Sequence, residues 1–350
     1  MTVSLTERRI GTMPWLRVAG PRTACFHALG AHAAGAIRTV VARLPQLDAL
    51  RRHVATAAGR ARLDGVVAAT ASQFPTHMGE MAALADGAGV DGRTVLLLNL
   101  RGDFGDPRAG GCSDVAVPGD RWVLGHNEDG DPLFTGLIGG VTLAVDGERP
   151  VFALWYPGML PANAFTLNRG LAWGVDHVPP RSTVVGPARH VVARALQQAE
   201  DLGAASTLLA AAPSAGGFAY NVVERATGRV ATIEAGGGAD GRAEVDPGAA
   251  CPMLWHTNHL RYGAAAPASR RSSCARGEVL AGMAAAASGE PPDASAVLGV
   301  LTTPLPGGVR AEGASVVTLC TVVLDGASNG ATFVPRQGEP ARLSLDELLA

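Results

Sequence analysis

One short stretch of this sequence combines residue types that could act on a carbonyl: Gly110-Gly111-Cys112-Ser113-Asp114. Two glycines ahead of a small nucleophile allow backbone conformations closed to residues with a Cβ. If the Cys112 thiol attacks the carbonyl before it, the acyl group shifts from nitrogen to sulfur and the Gly111–Cys112 bond then breaks. The new chain begins at Cys112. Its α-amine, with an ordinary pKa of about 7.7–8.0, suits the role of proton acceptor for a second reaction. The plain alternative is a buried cysteine beside a loop, and spacing alone leaves both open.

Other patterns carry less chemistry. Gly236-Gly237-Gly238-Ala239-Asp240-Gly241 fits a dinucleotide fingerprint, but RAEVDPGA follows it, too short and Pro-broken to be the helix such a site requires. Gly326-Ala327-Ser328-Asn329-Gly330 fits a nucleophile elbow, yet it joins two strand-like segments, and Asn-Gly is a favoured hairpin turn. His256-Thr257-Asn258-His259 could seed a metal site on a helix. MLWHTNHL reads as a strand, where positions three apart face opposite sides.

Composition narrows the classes. The chain has 350 residues and a net charge of −2, with no field to recruit nucleic acid or an anionic membrane. All 29 basic residues are arginine, which excludes Schiff-base, P-loop lysine and Ser-Lys chemistry. Cys25, Cys112, Cys251, Cys274 and Cys320 are scattered, odd in number and free of any Cys-x-x-Cys pair, against a zinc or disulfide framework. MTVSLTERRIG lacks an apolar signal region and no stretch reads as a membrane span, so a cytoplasmic protein is expected.

The elements that must hold Cys112 change character around it. The first ~110 residues read mainly as helix: AIRTVVARLPQLDALRRHVATAAGRARL has apolar residues at helical spacing, and PTHMGEMAALADGAGV opens with Pro75 and closes on glycines. From 112 onward the pattern is strands: SDVAV, RWVLGHN, GVTLAVDG, PVFALWYPG, AFTLN and LAWGVDHV, separated by turn residues. Residues 187–211 predict one or two helices, GFAYNVVERATGRVATIEAG a hairpin, MLWHTNHL a strand, 273–287 a helix, and VVTLCTVVLDGASNGATFVPR a last hairpin. Grouped strands and grouped helices point to layered α+β architecture.

GGCSDVAVPGDRWVLGHNEDGDP resembles the penicillin acyltransferase-like family of autoproteolytic N-terminal nucleophile enzymes: a Gly-Cys junction, a short strand, a turn, then a Gly-x-Asn-x-Asp element, here Gly125, His126, Asn127, Glu128 and Asp129. Upstream MGEMAALADGAGVDGRTVLLLNLRGD, and downstream HTNHL, SSCAR and VTLCTVVLDGASNGATFVPRQGEP, follow in the family's order over roughly 75 to 345. The resemblance implies a four-layer αββα sandwich with two stacked antiparallel sheets. Residues 1–111 would form an N-terminal helical segment and 112–350 the nucleophile-bearing part, both in one domain and associated after cleavage.

It also implies roles. Cys112 is the nucleophile and new N-terminus, and Asp129 lies near the thiol and binds the substrate's amine or positions the cysteine. Asn258 donates to the oxyanion. Arg276 stabilises a thiolate, and Arg310 contacts a substrate carboxylate. Where the penicillin enzymes have Gly-Gln-Asn-Trp-Asp, this chain has a form closer to the β-alanyl-dopamine and carcinine hydrolases, losing an aromatic wall and gaining Glu128. Strand alternation puts Asn127 and Asp129 on one face and Glu128 on the other, so at most one of the acidic pair faces the thiol; the resemblance implies Asp129, with Glu128 lining a neighbouring pocket or solvated. The expected activity is a cofactor-free cysteine amidase or acyltransferase on a small-molecule amide or acyl-thioester. A metal-dependent hydrolase using His256 and His259, or a non-catalytic member of the fold, are the alternatives.

Overall fold

The alternating apolar segments after Cys112 become strands of two sheets, seen in a computed structural model that describes residues 2–104, 111–180, 182–238, 242–245, 252–262, 271–287 and 290–350. Gly110, Cys251 and the end of the Gly236–Gly241 pattern lie outside the described residues. With strands numbered in chain order, one sheet runs β1 (Ser4–Ile10), β2 (Met13–Gly20), β5 (Gly139–Val145), β6 (Val151–Trp155), β7 (Thr166–Leu167), β8 (Leu171–Val178), β9 (Gly217–Glu224), β10 (Arg229–Ala235), β11 (Ala243–Val245). The other runs β12 (Leu254–His256), β3 (Ser113–Val117), β4 (Val123–Gly130), β13 (Val317–Asp325), β14 (Gly330–Pro335), β15 (Ala341–Ser344).

The sheets stack, with β3 against β8 and β9, β4 against β8, and β12 against β10. Outside the first sheet lie α1 (Arg22–His32), α2 (Ala34–Arg43), α3 (Pro45–Ala55), α4 (Ala57–Gln73), α5 (Pro75–Ala88), α6 (Gly92–Leu100), α7 (Arg189–Leu196) and α8 (Leu202–Ala211). Outside the second lie α9 (Arg271–Ala286), against β12, and α10 (Ala294–Thr302), against β4 and β13. A short α11 (Leu345–Leu349) ends the chain. This is the expected four-layer αββα sandwich.

Alternation along the inner strands sorts apolar from polar side chains. Leu171, Trp173 and Val175 of β8 join the apolar layer beneath α7 and α8. Their neighbours Gly174 and Asp176 face the second sheet, where a side chain on Gly174 would collide with the Asp114 carboxylate. On the far side, Val115, Val117, Val123 and Val323 pack against Val297 and Leu301 of α10. The layer between the sheets therefore holds the polar groups around Cys112, among them Asp114, His126, Glu128 and Asp176.

Two expectations change. The N-terminal segment is not only helical: β1 and β2 form a hairpin, and β2 pairs with β5 in parallel, so the sheets are not wholly antiparallel. β1 has five exposed positions of seven and shows no alternation to read. The long helical run from residue 36 is broken by Pro45 and again at Thr56, whose hydroxyl caps α4 by accepting from the Gly59 N–H at 3.1 Å. Asn329-Gly330 does form the β13–β14 turn, with Asn329 at φ 49°.

Candidate active site

Cys112 stands immediately before β3, 7% exposed, between the two sheets. Its sulfur lies 3.8 Å from Glu128 Oε1 and 3.9 Å from the Asp129 carbonyl oxygen. Burial, then the negative charges of Glu128, Asp176 and Asp129, push the thiol well above its ordinary range. The thiol is therefore protonated near neutral pH.

The alternation expected for β4 is present, but the thiol is on the other face from the one expected. His126 and Glu128 point between the sheets, as do Cys112 and Asp114. Asn127 turns the opposite way, donating to the Leu301 carbonyl at 2.8 Å. Glu128 is therefore the carboxylate beside the thiol, 4% exposed and not solvated. Asp129 meets the cysteine only through its backbone oxygen; its Oδ1 accepts from the Thr318 hydroxyl at 2.6 Å. Among the described residues, Asp129 Oδ2 has no hydrogen-bond partner. Burial pushes this carboxyl up to about 7 against the pull of Arg276 and the Thr318 hydrogen bond.

Arg276 leaves the buried face of α9 and reaches the junction itself. One guanidinium nitrogen donates to the Cys112 carbonyl and to Ser113 Oγ (2.5 Å), the other to Asn258 Oδ1 at 2.7 Å. Gly111 is packed so tightly against Arg276 and Asn258 that a Cβ there has no room, which accounts for glycine before the cysteine. Arg276 grips backbone and Asn258, not sulfur, so the expected thiolate-stabilising contact is not what the structure shows. Asn258 donates from Nδ2 to the His177 carbonyl at 3.0 Å.

Behind Glu128 runs a chain of buried partners. Its Oε1 also accepts from the Tyr156 hydroxyl at 2.5 Å, and Oε2 meets His126 Nε2 at 2.9 Å. His126 Nδ1 lies 2.7 Å from Asp114 Oδ1, and the Asn221 amide bridges Asp114 (2.9 Å) and Asp176 (3.2 Å). Asp176 faces His256 at 3.6 Å, and His256 Nε2 lies 3.0 Å from Glu234. Burial opposes charge on both imidazoles, but the carboxylates win: His126 is raised well above its ordinary value and His256 to about 9. Burial, with Asp176 beside it, raises Asp114 to about 7.

Two spaces flank the cysteine. A small cavity of about 70 Å³ touches Cys112, Glu128, Asp129, Tyr156, His177 and Arg189. A larger cleft, about 880 Å³, is lined by Gly111, Asp129, Asn258, Arg276, Arg310 and Leu305 among others. Arg310 sits in that cleft paired with Glu312 at 2.6 Å. His256 and His259 do not share a donor site: His256 faces Asp176 and Glu234, whereas His259 Nδ1 meets Thr257 and Ser273. Among the described residues, the group compact enough to hold a metal ion is Cys112, His126 and Glu128, within 4.8 Å of one another. Both His126 nitrogens already face carboxylates there.

Sequence reading did not single out Tyr156, Asp176, His177, Arg189, Asn221 or Glu234. They come from three strands, a helix and, for Tyr156, the turn after β6, and no local spacing joins them to Cys112. The only signal was polarity inside otherwise apolar strands, as at Asp176 in LAWGVDHV.

The chain is similar to known proteins over part of its length. Residues 116–286 match the family model of Acyl-coenzyme A:6-aminopenicillanic acid acyl-transferase, so the resemblance seen in the sequence holds. The matched stretch includes Glu128, Asp129, Asn258 and Arg276 and starts after Cys112. No curated protein matches the sequence. Among solved structures, the chain is similar to a conjugated bile acid hydrolase variant from Clostridium perfringens (12% identity, 68% of this chain and 94% of that one, TM-score 0.41). It is also similar to an N-acylethanolamine-hydrolyzing acid amidase ortholog from Caenorhabditis elegans (12%, 61% and 93%, 0.46) and to penicillin V acylase from Agrobacterium tumefaciens (11%, 67% and 86%, 0.39). Among the described residues, no helix is long and apolar enough to cross a membrane.

Proposed function

We propose that this chain is an N-terminal nucleophile acyltransferase or linear-amide hydrolase that first cuts itself between Gly111 and Cys112. The observation that carries the reading is the junction: a buried thiol follows a glycine that has no space for a side chain, and Arg276 holds the peptide beyond it. Once cut, the Cys112 amine takes the thiol proton and the sulfur attacks an amide or thioester carbonyl, giving an acyl-Cys112 that passes to water or an amine.

The neighbouring residues fit that sequence of steps. Arg276 fixes the nucleophile strand and Asn258 together. An amide nitrogen has two hydrogens, so Asn258 keeps one N–H for the oxyanion while the other is held by His177. Asp129 borders both spaces and can pair with a substrate amine; Arg310, on the cleft side, suits a carboxylate on the substrate. No step calls for a cofactor. The cut segments stay together because β2 lies within the sheet, between β1 and β5.

Intact mass spectrometry tests this directly. The purified protein should contain co-purifying fragments of 111 and 239 residues, and Cys112→Ala should stay whole and inactive. Cys25, Cys251, Cys274 and Cys320 should tolerate Ser or Ala with cutting unaffected. A whole chain that is nonetheless active would overturn the reading.

A further inference from the structure

Self-cleavage poses a problem that the cut enzyme does not have. Until the Gly111–Cys112 bond breaks, the Cys112 nitrogen is part of a peptide, and a peptide nitrogen is no base. Some other group must take the thiol proton. Among the described residues, the sulfur's two hydrogen-bond neighbours are Glu128 Oε1 and the Asp129 carbonyl, and only the first can accept a proton for transfer. The Asp129 carboxylate is held off by Thr318, and Asp176 is engaged by Asn221 and His256.

Glu128 is also held so that it cannot swing away. His126 anchors Oε2, Asp114 anchors His126, and Asn221 anchors Asp114, all with less than 5% exposure. Oε1 is left with the Tyr156 hydroxyl and the thiol. Strand geometry makes this placement specific: His126 and Glu128 are two apart on β4, and Asp114 pairs with His126 across β3.

We infer that Glu128 is the base of the self-cleavage, with His126 a positioning residue behind it. Glu128 takes the thiol proton as Sγ bonds to the Gly111 carbonyl carbon. It returns that proton to the Cys112 nitrogen as the carbon–nitrogen bond breaks. Water then hydrolyses the thioester, leaving a carboxylate on Gly111 and a free thiol and amine on Cys112. The inference rests on the reading that the chain cuts itself.

The test follows cutting of the freshly synthesised full chain by mass spectrometry, with melting curves run in parallel. Glu128→Gln should slow cutting by at least about 100-fold. Glu128→Asp, which keeps a carboxylate for His126 but withdraws it by one methylene, should also slow it, by about tenfold or more, and decides the matter if Gln unfolds the protein. Hydroxylamine should release Gly111 from the wild-type thioester yet leave Glu128→Gln uncut, because without the base no thioester forms. Wild-type cutting rates in Glu128→Asp or Glu128→Gln, or hydroxylamine cleavage of Glu128→Gln, overturn the role of Glu128 alone. A wild-type chain that never cuts overturns the self-cleavage reading itself.

Discussion

Among the described residues, two largely buried ionic clusters are built from different charges. In the first, Arg194 meets Glu80 (2.9 Å) and Glu148 (2.6 Å), and Arg22 meets the same two carboxylates at 2.5 and 2.7 Å. Two guanidiniums balance two carboxylates, and arginine does not lose its proton near neutral pH. In the second, around Cys112, the carboxylates Glu128, Asp114, Asp176 and Glu234 outnumber the imidazoles of His126 and His256. Asp114 there, and Asp129 beside it, sit near pH 7. Burial alone therefore does not mark a reactive site. The first cluster has fixed charge and works as a clamp between the N-terminal segment, which supplies Arg22 and Glu80, and the rest. The second has protons that can move.

The largest expected effect falls on the clamp. Glu80→Gln leaves Arg194 buried with one of its two carboxylate partners, and should cost about 3–5 kcal/mol of stability in urea melts. Activity per folded molecule should not change, and a catalytic loss in folded protein would blur the distinction between the clusters. The reverse is expected for Asn258→Ala. Turnover should fall by about 10²–10³ while KM and melting temperature move little. A loss confined to KM would assign Asn258 to binding.

Substrate choice sharpens the reactive side further. With Glu128 and Asp129 both on the small cavity, a β-alanyl amide should exceed its propionyl analogue in kcat/KM by roughly 10- to 100-fold, the worth of one charge-assisted hydrogen bond. Equal values would remove the argument; loss of the preference in Asp129→Asn would support it.

The pH dependence of stability gives the last test. The Asp129 carboxyl is raised from 3.8 to about 7 in the fold. Its contribution is fully present below pH 3.8 and is lost as pH rises through about 7, with a slope of at most about 1.4 kcal/mol per pH unit. Asp129→Asn should flatten the fall in melting temperature between pH 4 and 7. Identical slopes in the variant and the wild type would contradict the raised carboxyl.

Much of the site was legible because it is local. The Gly-Gly-Cys junction, the GHNEDG strand and HTNHL each lie on one element, and alternation correctly separated His126 and Glu128 from Asn127 and Asp129. The thiol's side of that strand was not legible. It depends on how β3 pairs with β4, with Ser113 opposite Asn127 and Asp114 opposite His126, and on which face of that pair meets β8. The N-terminal hairpin was hidden because an edge strand exposed over most of its length has no apolar rhythm, and long-range pairing with β5 is what secures it.

From its sequence alone this protein has strands after Cys112, helices before it, an arginine-only cationic chemistry and a glycine–cysteine junction. These follow from side-chain types and periods along a single segment. Tertiary structure decided that Glu128 meets the thiol, that Arg276 holds the backbone instead of the sulfur, and that Asp176, Asn221 and Glu234 belong to the same buried chain. Those groups are tens to more than a hundred residues from Cys112 in sequence. Pairing of β3 with β4 brings Glu128 to the thiol, α9 brings Arg276, and the stacking of the two sheets sets Asp176, Asn221 and Glu234 against Asp114 and His256.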